Sequence, residues 1–191
     1  MINKRIAYFE RIGKENTDDL IEIVAERLKE GDIKSVVVAS SLGTTGLKFA
    51  RRMAKDTNLI VVSSHPGRHK PGVWDFDRDI LKELEGMGCK VIRQTHVLSG
   101  LDRSISGKFS GISHTEFLAE SLRKLYGNGM KVAIECTIMA ADGGVIPIEK
   151  IIAVGGYGKG ADCAIVALPA HANNFFDLRV LEILAMPCRM D

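Results

Sequence analysis

Cysteine is scarce in this sequence: its 191 residues contain four, Cys89, Cys136, Cys163 and Cys188, far apart and with no Cys-x-x-Cys pair. The first three stand in or beside apolar runs, so buried free thiols are expected rather than a disulfide framework. Neither sign of charge dominates. Lys and Arg number 26 against 24 Asp and Glu, a formal charge of +2, which gives no electrostatic reason to expect nucleic acid or an acidic membrane as partner. No apolar run approaches the length of a membrane span. The opening residues, with Asn3, Lys4, Arg5 and Glu10, contain no apolar h-region of signal-peptide length. A cytoplasmic protein with no nucleic-acid and no membrane partner is therefore expected; its oligomeric state stays open, a homo-oligomer included.

Several catalytic signatures are missing too. Leu47 stands where a Walker A loop needs lysine, and no Gly-x-Ser-x-Gly elbow occurs. His65 and His69 are four apart but straddle Pro66 and Gly67, so they share no helix face. No third ligand is evident beside them, and no metal is expected.

The apolar residues that remain, 46% of the chain, are arranged in short alternating blocks. Ile6–Phe9 reads as an edge strand. Thr17 reads as a helix N-cap, followed by Asp18 and Asp19 at the positive end of the dipole. Leu20, Ile21, Ile23, Val24 and Leu28 then give one apolar face, and Gly31 stops the helix. Val36–Ala39 and Leu59–Val62 suit strands buried on both faces, and Cys89–Ile92 reads as a third short strand. Helices are expected from about Thr45 to Lys55, from Asp77 to Gly86, and from Ser113 to Tyr126, the last closed by Gly127, Asn128 and Gly129. Leu98–Gly111 is irregular and stays unassigned. Val132–Ala141, apolar apart from Glu135 and Thr137, reads as a fourth strand with its turn at Asp142–Gly144. Ile151–Val154 and Ala164–Leu168 follow as a fifth and a sixth. Asp177–Met186 suits a short helix or a strand, with Pro187 ending either. This alternation predicts one α/β domain over residues 1–191, three-layered, with a largely parallel sheet.

Ligands of open α/β sheets bind outside the carboxyl ends of the strands. Here those ends are small and polar. The first, in Ser35–Met53, passes from a buried strand through Ser40, Ser41, Gly43, Thr44, Thr45 and Gly46 into a helix. A helix start rich in hydroxyls presents N–H groups to a phosphate, although Ser41 or Thr44 as a plain helix cap accounts for the same residues. Ser63-Ser64-His65, Thr95-His96, Asp142-Gly143-Gly144 and Gly155–Gly160 are the other ends. Gly156–Ala161 formally matches Gly-x-Gly-x-x-Ala but precedes a strand rather than a helix, so it reads as a close-approach loop for a flat ligand rather than a dinucleotide fingerprint. The long loop from His65 to Trp74 carries Arg68 and Lys70 as phosphate or carboxylate partners. Glu135 is open between a functional carboxylate and a solvent-facing edge residue.

The Ala-Ser-Ser-Leu-Gly-Thr-Thr-Gly turn resembles the phosphate-holding turn in the C-terminal α/β domain of pyruvate kinase. Tyr8-Phe9-Glu10, Gly13–Thr17, His65-Pro66-Gly67, Gly155–Asp162 and Phe175-Phe176-Asp177 extend the likeness over almost the whole chain. They resemble a set of stand-alone, mostly archaeal proteins described as pyruvate kinase α/β domain-like. The resemblance implies that fold and a bound flavin mononucleotide (FMN). It does not imply pyruvate kinase activity, whose catalytic barrel a chain of this length lacks. It assigns the phosphate to Ser41, Gly43, Thr44, Thr45 and Gly46; by extension, ring and ribityl contacts fall to Ser40, Ser64, His65, Thr137, Gly156 and Gly158. Whether the protein is an enzyme stays open. The readings are a phosphorylated-ligand binder, FMN first; an FMN-dependent oxidoreductase of unknown substrate, with Cys136, His65 or His96 as proton donors; or a sugar-phosphate protein, regulatory or catalytic.

Overall fold

β-Branched runs without charge form the centre of the sheet in the computed structural model, which describes residues 1–189. The strands are β1 (Ala7–Arg11), β2 (Ser35–Ala39), β3 (Asn58–Ser64), β4 (Lys90–Gln94), β5 (Ile151–Gly155), β6 (Cys163–Leu168) and β7 (Arg179–Arg189). They make one seven-stranded sheet in the order β1-β7-β6-β5-β2-β3-β4. All neighbours are parallel except across β6, which runs against β5 and β7. Because β6 runs backwards, its first residue lies at the same edge of the sheet as the carboxyl ends of the other strands.

Alternation along the strands divides the core into two layers. Val36, Val38, Leu59, Val61, Ile152 and Val154 face α1 (Thr17–Leu28), α2 (Thr44–Met53) and α3 (Arg78–Gly86). Val37, Ile60, Val62, Ile151, Ala153 and Ile165 face α5 (His114–Asp142). Helices therefore cover both faces. Phe49 of α2 is fully buried between sheet and helices, and truncating such a side chain to alanine costs about 3–5 kcal/mol. Among the described residues no helix is long and apolar enough to cross a membrane.

Several local expectations hold. Asp77 caps α3, its carboxylate accepting the N–H groups of Asp79 and Ile80 at 2.9 and 3.0 Å. Cys89, Cys136 and Cys163 are buried free thiols. Other expectations are corrected. Val132–Ala141 is helical, the second half of α5. It is apolar all round because it is buried beneath the sheet, and a short apolar run looks the same whether it forms a buried helix or a buried strand. The helix expected to close at Gly127 does so: Gly127, at φ +87°, is non-helical. What the sequence did not show is that a second helical segment starts at once, so Asn128 and Gly129 belong to it and the two segments together make α5. Asp142–Gly144 accordingly ends a helix rather than a strand.

Leu98–Gly111 contains α4 (Gly100–Phe109), which buries none of its residues. Thr17 is not the N-cap of α1; Asn16 holds that position. The Thr17 hydroxyl instead donates to Lys14 O at 2.6 Å and accepts the Ala161 N–H at 3.0 Å. β7 also continues through Pro187, which pairs with Phe9 of β1. Its pairing with β6 ends at Ala185, so on that side no donor is required of the proline.

Candidate functional site: a cationic cleft at the strand ends

The turn after β2 sets the geometry of the site. Gly43 adopts φ +97°, and a Cβ there would lie 2.7 Å from Ile80 and 2.9 Å from Phe76. Only glycine lets the chain reverse so tightly against α3. Four N–H groups at a helix start have no intrahelical acceptor. The Leu47 N–H makes the first intrahelical bond, to Gly43 O at 2.9 Å, so the four are those of Gly43, Thr44, Thr45 and Gly46. The Gly46 N–H is taken by Ser40 Oγ at 3.1 Å. Those of Gly43, Thr44 and Thr45 are left at the positive end of the α2 dipole, and Thr44 and Thr45 line the cleft.

This turn opens onto a cleft of about 750 Å³, within the range of about 300–1,000 Å³ usual for small-molecule sites. The cleft runs over the carboxyl edge of the sheet. The start of α2 forms one wall, the kinked middle of α5 another, and the Gly156–Gly160 loop a third. Of the residues expected at the site, Ser40, Ser41, Thr44, Thr45, His65, Gly156 and Gly158 all line it. Gly43 and Gly46 shape the turn from behind; a Cβ on Gly46 would meet Val61 at 2.7 Å. Ser64 stands one layer back. It donates to Ser41 Oγ at 3.3 Å and accepts from Arg68 at 2.7 Å, which draws that guanidinium toward the turn. Thr137 is elsewhere. It lies inside α5, 0% exposed, its hydroxyl donating to Ala133 O at 2.9 Å.

The long loop after β3 is pinned at its base. Trp74 donates to Ser63 Oγ at 2.7 Å, stacks on Phe76 and carries Arg93 over its ring at 4.9 Å. The loop also closes on itself through Gly67 N–H to Val73 O. His69 is paired with Asp75 at 2.6 Å, and His65 Nδ1 contacts Pro66 O at 2.7 Å. Neither interaction links the two histidines.

Helical spacing exposes what a strand reading hid. Lys131 and Glu135 are four apart on α5 and form a buried ion pair, with side chains 3% and 1% exposed. Glu135 Oε2 also accepts from His96 Nδ1 at 3.0 Å, and Oε1 accepts the Leu98 N–H at 2.9 Å. Burial alone would raise the pKa of this carboxyl; the His96 hydrogen bond and the Lys131 charge outweigh it and hold the pKa down to about 2. Burial pushes the Lys131 ammonium the other way, below its ordinary value, and Glu135 offsets only part of that. The i,i+4 pairing of Lys131 with Glu135 was the available sequence signal. Lys131, Glu135 and His96 all line the cleft.

The lining is electrostatically one-sided. Among the described residues around it stand Arg68, Arg103, Arg123, Lys131 and Lys159, against the single carboxylate of Glu135. Arg123 is oriented by Asn128 Oδ1 at 3.2 Å, and Asn128 in turn donates to Gly156 O at 2.7 Å, tying α5 to the glycine loop. Such a cleft concentrates anions. Fold and site together define an α/β protein with a cleft at the carboxyl edge of its sheet, its charged lining mostly cationic. Compared with models of known protein families, the sequence matches none.

Proposed function

We propose that the cleft binds a phosphorylated small molecule, FMN first among them, with its phosphate at the Ser40–Gly46 turn. The observation that carries this reading is the pair of N–H groups at Thr44 and Thr45 without an intrahelical acceptor, set beside the Ser41 and Thr44 hydroxyls and Arg68 on a cleft with one carboxylate. Several donors converge there on one place, which suits a dianion. The donor set also fits the rest of a flavin nucleotide. Gly156 and Gly158 offer backbone without side-chain obstruction, and the surrounding cations suit the carbonyl oxygens of a flat ring. When bound, a flavin supplies hydride and electron transfer; this chain's residues bind it, orient it and keep it beside the Lys131–Glu135–His96 group. The reading includes a fold like that of the pyruvate kinase C-terminal domain, supported by the helix–sheet–helix layers and by the position of the turn.

The test is the visible spectrum of the purified protein, followed by titration of flavin-free protein with FMN and riboflavin. FMN should bind at least about tenfold more tightly, since each hydrogen bond to a charged group contributes about 1.5–3 kcal/mol. Equal affinities would remove the phosphate from the turn. The buried Lys131–Glu135–His96 group on the cleft wall favours a second reading, an FMN-dependent oxidoreductase. Under that reading the bound flavin is reduced by NADH or NADPH and reoxidised by a substrate in turnover.

A further inference from the structure

The hydrogen-bonding inventory of the cleft is lopsided. Its charged side chains are donors, and Glu135, its carboxylate, already has both oxygens engaged. One ring nitrogen is different. His96 Nε2 is buried with no hydrogen-bond partner. Its tautomer follows from its neighbour. Glu135 is ionised and acts only as an acceptor, so the His96 Nδ1 facing it carries the proton. In the neutral imidazole this leaves Nε2 with a bare lone pair. A buried acceptor without a donor is costly, and such an atom calls for an explanation.

His96 and Gly100 both line the main cleft and also a smaller depression beside it, so His96 borders both. α4, which starts four residues after His96, buries no side chain, and its N-cap, Ser99, makes no side-chain capping bond. Position matters as well. The turn follows β2 and His96 follows β4, with β3 between them. At about 4.8 Å per strand spacing the two lie about 10 Å apart. One ligand reaches both only if its phosphate is carried on an arm.

We propose that His96 Nε2 is the acceptor by which the cleft recognises a neutral N–H on the ring of a phosphorylated heterocycle, with Glu135 and Lys131 fixing the tautomer. This rests on the phosphate reading of the turn. FMN is a suitable probe because its oxidised ring has one N–H, at N3. Wild-type protein should bind FMN about tenfold more tightly than N3-methyl-FMN, the scale expected when a buried polar group is left unpaired. The preference should vanish in His96→Leu and persist in His96→Gln, whose amide oxygen still accepts. Nitrogen-15 spectra of the histidines should place the His96 proton on Nδ1, and FMN should shift Nε2 while leaving that tautomer unchanged. The assignment to His96 falls if FMN and N3-methyl-FMN bind equally to wild type, or if Nε2 does not respond to bound FMN. Failure of FMN to bind wild type at all is a separate result and removes the phosphate reading itself.

Discussion

Asp162 Oδ2 accepts the backbone N–H of Gly13 at 3.1 Å, joining loops 149 residues apart in sequence. Asp162 heads β6 and Gly13 follows β1, so one carboxyl holds the glycine loop of the cleft against the segment that enters α1. Its other oxygen is buried without a partner.

Burial pushes the Asp162 carboxyl up to about 6, against the opposing hydrogen bond from Gly13. The folded state thus holds this proton to higher pH than the unfolded chain does, whose reference pKa is 3.8. Its stabilising contribution is complete below about pH 4 and is lost as pH rises through about 6. Asp162→Asn keeps an acceptor for Gly13 but cannot ionise. Chemical denaturation at a series of pH values should show the wild type losing roughly 1–3 kcal/mol over that interval relative to the variant. Parallel curves would mean the carboxyl does not titrate there.

Thr44→Asp tests the anion site with little risk to the fold. Thr44 is exposed at the first position of α2, where a carboxylate favours the helix dipole by about 0.3–1 kcal/mol. The same charge repels a phosphate. Calorimetric titration should find FMN affinity reduced by at least about 100-fold, combining like-charge repulsion with lost hydrogen bonds, while the melting temperature is unchanged or higher.

Gly43→Ala should do the opposite, damaging the fold as well as the site. Its φ of +97° and the 2.7 Å approach to Ile80 make a methyl group both strained and overpacked. A loss of about 1–3 kcal/mol is expected in urea denaturation, with weaker ligand binding because the turn can no longer aim its N–H groups.

Glu135→Leu would leave the Lys131 ammonium buried without its carboxylate, a loss of about 3–5 kcal/mol. Burial already lowers the Lys131 pKa, and removing Glu135 lowers it further. The variant therefore recovers stability as pH rises and the lysine gives up its proton. Combining Glu135→Leu with Lys131→Met should restore most of the loss at neutral pH. Thermal unfolding of the single and double variants from about pH 6 to 9 measures both effects.

Much of the sheet was legible because Val36–Val38, Leu59–Val62, Ile151–Val154 and Ala164–Leu168 are aliphatic and mostly β-branched or small, uncharged and bounded by turn residues. Most of the site was legible for a related reason: polar strand ends converge once the strands are parallel. Thr137 was misplaced along with the segment around it. Ala133, Ile134, Cys136, Ile138, Met139 and Ala140 are buried on every side, so no polar stripe marked the helical period. The i,i+4 spacing of Lys131 and Glu135 carries meaning only once that segment is helical, and His96 joins them from the end of β4, which the sequence alone does not bring near. Gly127 does end the first helical segment; what stayed hidden was the immediate restart of a second one.

The order of the sheet also has a consequence for how the protein is made. Among the described residues β7 is the one strand that β1 pairs with, so a chain emerging from the ribosome must keep Ala7–Arg11 unpaired until Arg179–Arg189 has been synthesised. The Gly13 tether to Asp162 has to wait nearly as long. Until then Tyr8 and Phe9 are an open β-edge, available to chaperones or to another nascent chain. The rim of the cleft is thus among the last parts of the molecule to be assembled, and ligand capture can serve as a report that synthesis of the sheet is finished.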